Sequence, residues 1–221
     1  MNECPDNFVG TSNVWMSNEI GMQPIGTFAH ELPMIYAGIA DAIGLDIADS
    51  HSRMLDVWQE TFGDDLSTAL TDTFTSEFFF ESFTKEQAEQ YKALRHDSGD
   101  PFEFTDRVIE FYKGNDIDPQ SKTIVFSDGL DLDTIIALQD HCKDKINAVY
   151  GWGTNLMNDM GPAVKPLNIV MKATRVDLPT GESAELVKLS DDEGKHTGPP
   201  EQIKKYQEIV RLALEKEIEY A

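Results

Sequence analysis

The chain has 221 residues, enough for one large domain or one and a half, and its 40 acidic against 18 basic residues give a net charge of −22. A surface of that sign repels nucleic acid and anionic membranes, so neither is expected as a partner. No apolar run reaches the roughly 18 residues of a spanning helix. Met1 to Phe8 carries neither a basic segment nor an apolar run, and Cys4 and Cys142 form no paired motif, so a cytoplasmic protein without a disulfide framework is expected.

In chain order, Phe8 to Asn13 reads as a short strand and turn. Gln23 to Thr27 leads into a helix over Ala29 to Ile43, closed by Gly44. A second helix, Ser50 to Phe62, carries Met54, Leu55, Val57 and Trp58 as apolar members and stops at Gly63. Leu66 to Thr73 reads as a strand entering a loop, and Glu77 to Phe83 as a short buried helix. Tyr91 to Leu94 ends the next strand, and Arg95 to Pro101 is a turn. Beyond it Phe104, Val108, Phe111 and Tyr112 recur at helical spacing until Lys113-Gly114.

Lys122 to Phe126 is a buried strand that Ser127-Asp128-Gly129 turns into a helix, Leu132 to Cys142. Ala148 to Tyr150 is a further strand, turned by Gly151 to Thr154. Leu167 to Val176 and Glu185 to Leu189, separated by Pro179-Thr180-Gly181, pattern as a hairpin. Pro199-Pro200 opens a last helix whose Ile203, Tyr206, Ile209, Val210, Ala213 and Leu214 share one face. This alternation implies an α/β fold with a parallel, barrel-like sheet, short of the eight strands of a closed barrel. Residues 1–195 form the partial barrel, with the hairpin at about 166–190, and 199–221 form a C-terminal helix.

The chemistry concentrates in strand-end turns. Arg95 and Asp97, two apart in an extended segment, point the same way and reach one ligand from one rim. Asp100, Pro101 and Glu103 fit the N-cap, N1 and N3 positions of the following helix, so Asp100 is read as structural. The turns Arg95–Gly99, Ser127–Gly129 and Gly151–Thr154 each put small residues before a helical entry, where backbone N–H groups hold an anion. Asp128 adds a carboxylate for ribose hydroxyls or Mg²⁺. His30, at the glycine-marked entry Gly26 to Glu31, is a candidate nucleophile or proton carrier. The histidines have no i,i+4 pair or cysteine partner, which disfavours zinc. Gly151 to Leu156 fails the dinucleotide fingerprint, and Gly194 to Thr197 lacks the upstream glycine of a phosphate loop.

Six motifs in order carry a resemblance: Gly26 to Glu31, Leu94 to Pro101, Asp118 to Thr123, Phe126 to Asp131, Gly151 to Thr154 and Val164 to Val170. From about Phe8 to Leu189 the chain resembles nicotinate phosphoribosyltransferases. The resemblance implies an irregular, here incomplete, TIM-like α/β barrel of the type II phosphoribosyltransferases. It implies ATP-dependent, ligase-type joining of nicotinate to phosphoribosyl pyrophosphate, through a phosphohistidine, in NAD biosynthesis. His30 would be that phosphohistidine, and Arg95 would lie near pyridine and ribose. Asp97 and Asp128 would face the ribose or its Mg²⁺, and Thr27, Ser98, Gly99, Ser127, Gly129, Gly151, Gly153 and Thr154 the substrate and its phosphate. ATP and Mg²⁺ are the implied co-substrate and metal, and a homodimer the implied assembly of the complete enzyme. The family is about twice this length, and its amino-terminal half, with an Asp-Phe-Gly motif that helps hold the pyridine, has no counterpart here. The chain alone is therefore expected to be inactive. The alternative is a non-catalytic remnant or subunit that binds phosphates or pairs with a complete enzyme.

Overall fold

The computed structural model describes residues 7–157, 161, 164 and 169–220. Three helices, α1 (Val14–Ile20), α2 (Glu31–Ala42) and α3 (Ile47–Phe62), precede the first strand, β1 (Thr68–Leu70). Then α4 (Ser76–Ser82) and α5 (Lys85–Gln90) lead to β2 (Ala93–His96), α6 (Pro101–Gly114) to β3 (Thr123–Phe126), and α7 (Leu132–Cys142) to β4 (Asn147–Tyr150). A single turn, α8 (Thr154–Met157), a hairpin of β5 (Arg175–Asp177) and β6 (Ser183–Glu185), and α9 (Pro200–Tyr220) follow.

The strands β1 to β4 pair in sequence order and all in parallel, with Leu94 opposite both Ala69 and Ile124 and Phe126 opposite Tyr150. A parallel pair needs a long crossover, which is why helices separate every two strands. The sheet does not close. Among the described residues β1 and β4 each have one strand neighbour, so the described part of the α/β fold is an open four-stranded parallel sheet. So few strands cannot curl far enough for their edges to meet.

Leu70, Leu94, Ile124 and Phe126 are fully buried in one apolar cluster with Met54 and Leu55 of α3, Val108 and Tyr112 of α6 and Leu138 of α7. A second cluster gathers Ala37, Phe74, Phe78, Val187, Leu189, Tyr206 and Val210, and fastens α9 beside α2 and α4. No helix among the described residues is long and apolar enough to cross a membrane.

Several local readings change. Phe8 to Asn13 forms no strand; Asn13 instead caps α1 by accepting from the Met16 N–H. The helix α5, unread in the sequence, begins with a reciprocal capping box between Thr84 and Gln87. Arg95 and His96 belong to β2, so the turn begins at Asp97. Asp100 caps α6 as expected, accepting from the N–H groups of Phe102 and Glu103. The hairpin is shorter than read: its first arm begins at Arg175, and residues 167 and 168 of the expected arm lie outside the described residues. Leu186 to Leu189 leaves the hairpin and runs buried past the end of β1, where the Leu189 N–H donates to the Thr73 carbonyl at 2.8 Å.

Candidate active site

In a parallel sheet the loops after successive strands gather on one rim, where ligands bind in open α/β folds. Here the segments after β1, β2 and β3 meet the entry to α2. Arg95, on β2, ties three of them together. Its Nη2 donates to Asp97 Oδ1 at 2.7 Å, its Nε to Ser127 Oγ at 2.7 Å and its Nη1 to Thr27 Oγ1 at 2.8 Å. The guanidinium edges are thus largely committed to the protein, which leaves its flat face for a planar ligand. The Ser127 hydroxyl also lies within hydrogen-bonding distance of Asp97 Oδ1 (2.8 Å) and the His96 carbonyl (2.9 Å).

His30 sits at the N-cap of α2 and is buried. Its Nε2 is 3.0 Å from Asp97 Oδ2 and its Nδ1 3.0 Å from Thr73 Oγ1. With the proton on Nε2, His30 donates to Asp97 and Nδ1 accepts from the Thr73 hydroxyl; in the other tautomer Nδ1–H donates to Thr73 Oγ1 and the Nε2 lone pair is free for chemistry, without the bond to Asp97. Below the ring lies Asp72, fully buried, whose Oδ1 is 3.8 Å from His30 Nε2 and has no hydrogen-bond partner. His30, Asp72 and Asp97 each offer a donor atom within 4.8 Å of the others. Burial works to raise the Asp97 carboxyl. The hydrogen bonds from His30, Ser127 and Arg95 and the Arg95 charge outweigh it and hold Asp97 well below the usual carboxylate range. Asp97 is an anion at any working pH.

Of the residues singled out in the sequence, Thr27, His30, Arg95, Asp97, Ser98 and Ser127 converge here. Asp128 turns elsewhere and accepts from Lys195 Nζ at 2.9 Å. The carboxylates at metal-ligand spacing are Asp72 and Asp97. Gly99 (φ +80°) and Gly129 (φ +58°) take the left-handed backbone that their turns need. Gly151 donates its N–H to the Phe126 carbonyl at 2.8 Å, Gly153 follows, and Thr154 opens α8. Two helix N-termini are less open to an anion than expected, because Asp100 and Asp131 already accept from the first N–H groups of α6 and α7.

Sequence reasoning passed over Asp72, Thr73, Lys188 and Ser190. Asp72 had a usable signal, a carboxylate just past a strand, as at Asp97. Lys188 and Ser190 had none, since nothing local marks Val187-Lys188-Leu189-Ser190 as lying beside a site formed a hundred residues earlier.

Residues 1–213 match the model of the nicotinate phosphoribosyltransferase (NAPRTase) family. The chain belongs to this family. It is 42% identical over 90% of its length to a nicotinate phosphoribosyltransferase of Desulforapulum autotrophicum, covering 49% of that protein. For the one from Chromohalobacter salexigens the identity is 40%, over 94% of this chain and 52% of the relative. Among solved structures it is similar to the nicotinate phosphoribosyltransferase of Porphyromonas gingivalis, with TM-score 0.85 and 37% identity, over 91% of this chain and 51% of that one. The Vibrio cholerae nicotinate phosphoribosyltransferase gives 0.84 at 31% identity, over 100% and 53%. The chain thus spans about half the length of the curated relatives it matches. Four of the six motifs read from the sequence sit on the α2 entry and on the ends of β2, β3 and β4; Asp118 to Thr123 leads into β3, and residues 165–168 of the sixth lie outside the described residues.

Proposed function

We propose that this chain carries the phosphohistidine and ribosyl-transfer part of a nicotinate phosphoribosyltransferase. The complete enzyme would form nicotinate mononucleotide and pyrophosphate from nicotinate and phosphoribosyl pyrophosphate, with ATP hydrolysis coupled to the transfer. The observation that carries this reading is the joining of His30, Arg95 and Asp97 on one rim of the sheet.

In this reading the reacting tautomer of His30 is the one that keeps its proton on Nδ1 and donates it to Thr73 Oγ1, so that the Nε2 lone pair takes the γ-phosphoryl group of ATP and ADP departs. Asp97, fixed as an anion, faces the positive charge that develops on the ribosyl carbon as pyrophosphate leaves. Arg95 offers its face to the pyridine ring. Thr27, Ser98, Gly99, Ser127 and Gly129 line the donor, with Gly151, Gly153 and Thr154 around its 5′-phosphate. Asp97, with Asp128 at the rim and Asp72 beneath, supplies oxygen donors suited to Mg²⁺, whose contribution when bound is to neutralise phosphate charge. The open edges of the sheet fit completion by further strands into an irregular barrel, within a homodimer of complete chains, and the isolated chain would make no product.

The test is labelling with γ-phosphate-labelled ATP. An acid-labile, base-stable phosphate is expected on the chain and is expected to be lost in His30→Ala. Undiminished label in His30→Ala would move the phosphoryl acceptor elsewhere. A second reading is a phosphate-binding subunit without catalysis, in which the left-handed turns at Gly99 and Gly129 serve a phosphate alone. That reading predicts ATP binding without covalent label, and no nucleotide formation after the missing half is supplied.

A further inference from the structure

We propose that the segment Leu186–Asp191, buried as far as Ser190, is a clamp on Asp72, and that Lys188 and Ser190 are positioning residues acting on His30 through it. The proposal rests on the phosphohistidine reading of His30 and adds to it the residues that hold the imidazole's buried neighbour in place.

Asp72 lies wholly out of water, and a carboxylate there needs both charge compensation and hydrogen bonds. The compensation comes from Lys188, itself almost fully buried, whose Nζ is 3.5 Å from Asp72 Oδ2. The hydrogen bonds come through a relay. Ser190 Oγ donates to Ser98 Oγ at 2.9 Å and lies 3.3 Å from Asp72 Oδ2 itself, and Ser98 Oγ donates to Asp72 Oδ2 at 2.6 Å. Every partner falls on Oδ2. The carboxylate is therefore turned about one oxygen, and Oδ1 is left facing His30 Nε2.

The segment itself is anchored on both sides of the relay. Leu189 donates its N–H to the Thr73 carbonyl, the residue whose hydroxyl meets His30 Nδ1. The Asp191 N–H donates to Ser98 Oγ at 3.2 Å, and its carboxylate accepts from the Ser76 N–H at 2.7 Å and hydroxyl at 2.6 Å. Ser190 has a φ of +70°, and Thr75, next to the Ser76 that Asp191 holds, has a φ of +103°. A buried serine in left-handed backbone is disfavoured, and a β-branched threonine there more so. Such conformations persist where the surroundings over-determine them, and they cluster at functional sites. If Ser190 served the backbone alone, glycine would fit the position better. What serine adds is the hydroxyl at the head of the relay.

That difference makes the proposal testable in the full 221-residue chain. Ser190→Gly relieves the backbone and removes the hydroxyl, so its melting temperature should be retained or raised. The ¹⁵N resonances of His30 in histidine-labelled protein report which ring nitrogen carries the proton. In Ser190→Gly and in Lys188→Met the two tautomer populations should redistribute by about threefold or more, because the outer partner sets the tautomer. Lys188→Arg, which keeps the charge, should restore the parent pattern. The rate of His30 labelling by ATP should fall about tenfold or more in Ser190→Gly. A Ser190→Gly protein with the parent's His30 resonances would overturn the clamp, even if Lys188→Met fails to fold. So would a Lys188→Met effect confined, in the completed enzyme, to the KM for phosphoribosyl pyrophosphate, because the ammonium would then be serving the donor. If the parent protein takes no label from ATP, the phosphohistidine reading fails, while the resonances still decide the clamp.

Discussion

At the scale of single residues, Asp97 is the centre of the site. It joins His30, Arg95 and Ser127, and its charge is protected from titration by all three. In a completed enzyme, Asp97→Asn should lower turnover at saturating substrates by on the order of 3 kcal/mol, roughly two orders of magnitude, and leave the fold intact. Asp128→Asn should also lower turnover. Parent rates for both would remove them from the ribosyl chemistry. The pairing of Arg95 with Asp97 was legible because strand geometry puts residues two apart on one side. Asp72 was only half legible, and Lys188 not at all, because its partner is set by how two distant segments pack.

Another buried side chain has a consequence for pH. His51 is packed edge-on against Phe74, Phe78 and Phe79, and burial lowers its pKa to about 4. The folded state keeps this imidazole neutral while the unfolded chain protonates it near pH 6.5. Stability from this residue is therefore complete above pH 6.5 and lost as the pH falls from 6.5 towards 4. Between pH 7 and pH 5 the loss should be roughly 2 kcal/mol. Urea unfolding at the two values should show it in the parent chain and show much less of it in His51→Leu. An equal loss in both proteins would assign the acid sensitivity to other groups.

At the scale of elements, the caps separate structural carboxylates from functional ones. Asp100 lies three residues from Asp97, yet its bonds go to the first N–H groups of α6. Asp100→Ala should cost about 1 kcal/mol, a fall in melting temperature of about 2–4 °C, with turnover of the completed enzyme unchanged. A large loss of turnover at parental stability would instead put Asp100 in the site. The elements with long apolar periodicity, α2, α3, α6 and α7, were legible nearly to their ends, because a helix that buries a face must repeat it. By contrast, α1 and α5 have six or seven residues and are set by their caps, Asn13 and Thr84, rather than by any stripe. β2 ran two residues further than read, since Arg95 and His96 look like turn residues until their neighbours on β3 are known. Leu186 to Leu189 looked like a hairpin arm because it is a short, mostly apolar run, yet all four residues are buried. What they pack against is the segment after β1 and α9, a long-range packing that local patterning does not contain.

At the scale of the whole molecule, the open sheet is the feature with the largest consequence. β1 and β4 each leave an edge without a strand neighbour among the described residues, and Leu132 and Ile136 of α7 stand 56% and 53% exposed. Parallel sheets are ordinarily covered, and an uncovered edge is a template for another chain. The net charge of −22 opposes association through long-range repulsion, but that term is screened beyond about 10 Å at 0.1 M salt, whereas edge pairing and apolar contact are short-ranged. Self-association of the 221-residue chain should therefore increase with ionic strength, as followed by sedimentation velocity at low and high salt. The same chain should make no nicotinate mononucleotide alone. Supplying the other half of a family member, fused or in trans, should give a defined assembly and activity together if the added strands pair with the open edges of the sheet. A chain that stays monomeric at high salt and forms the nucleotide unaided would mean that the four-stranded sheet is sufficient, both as a fold and as a site.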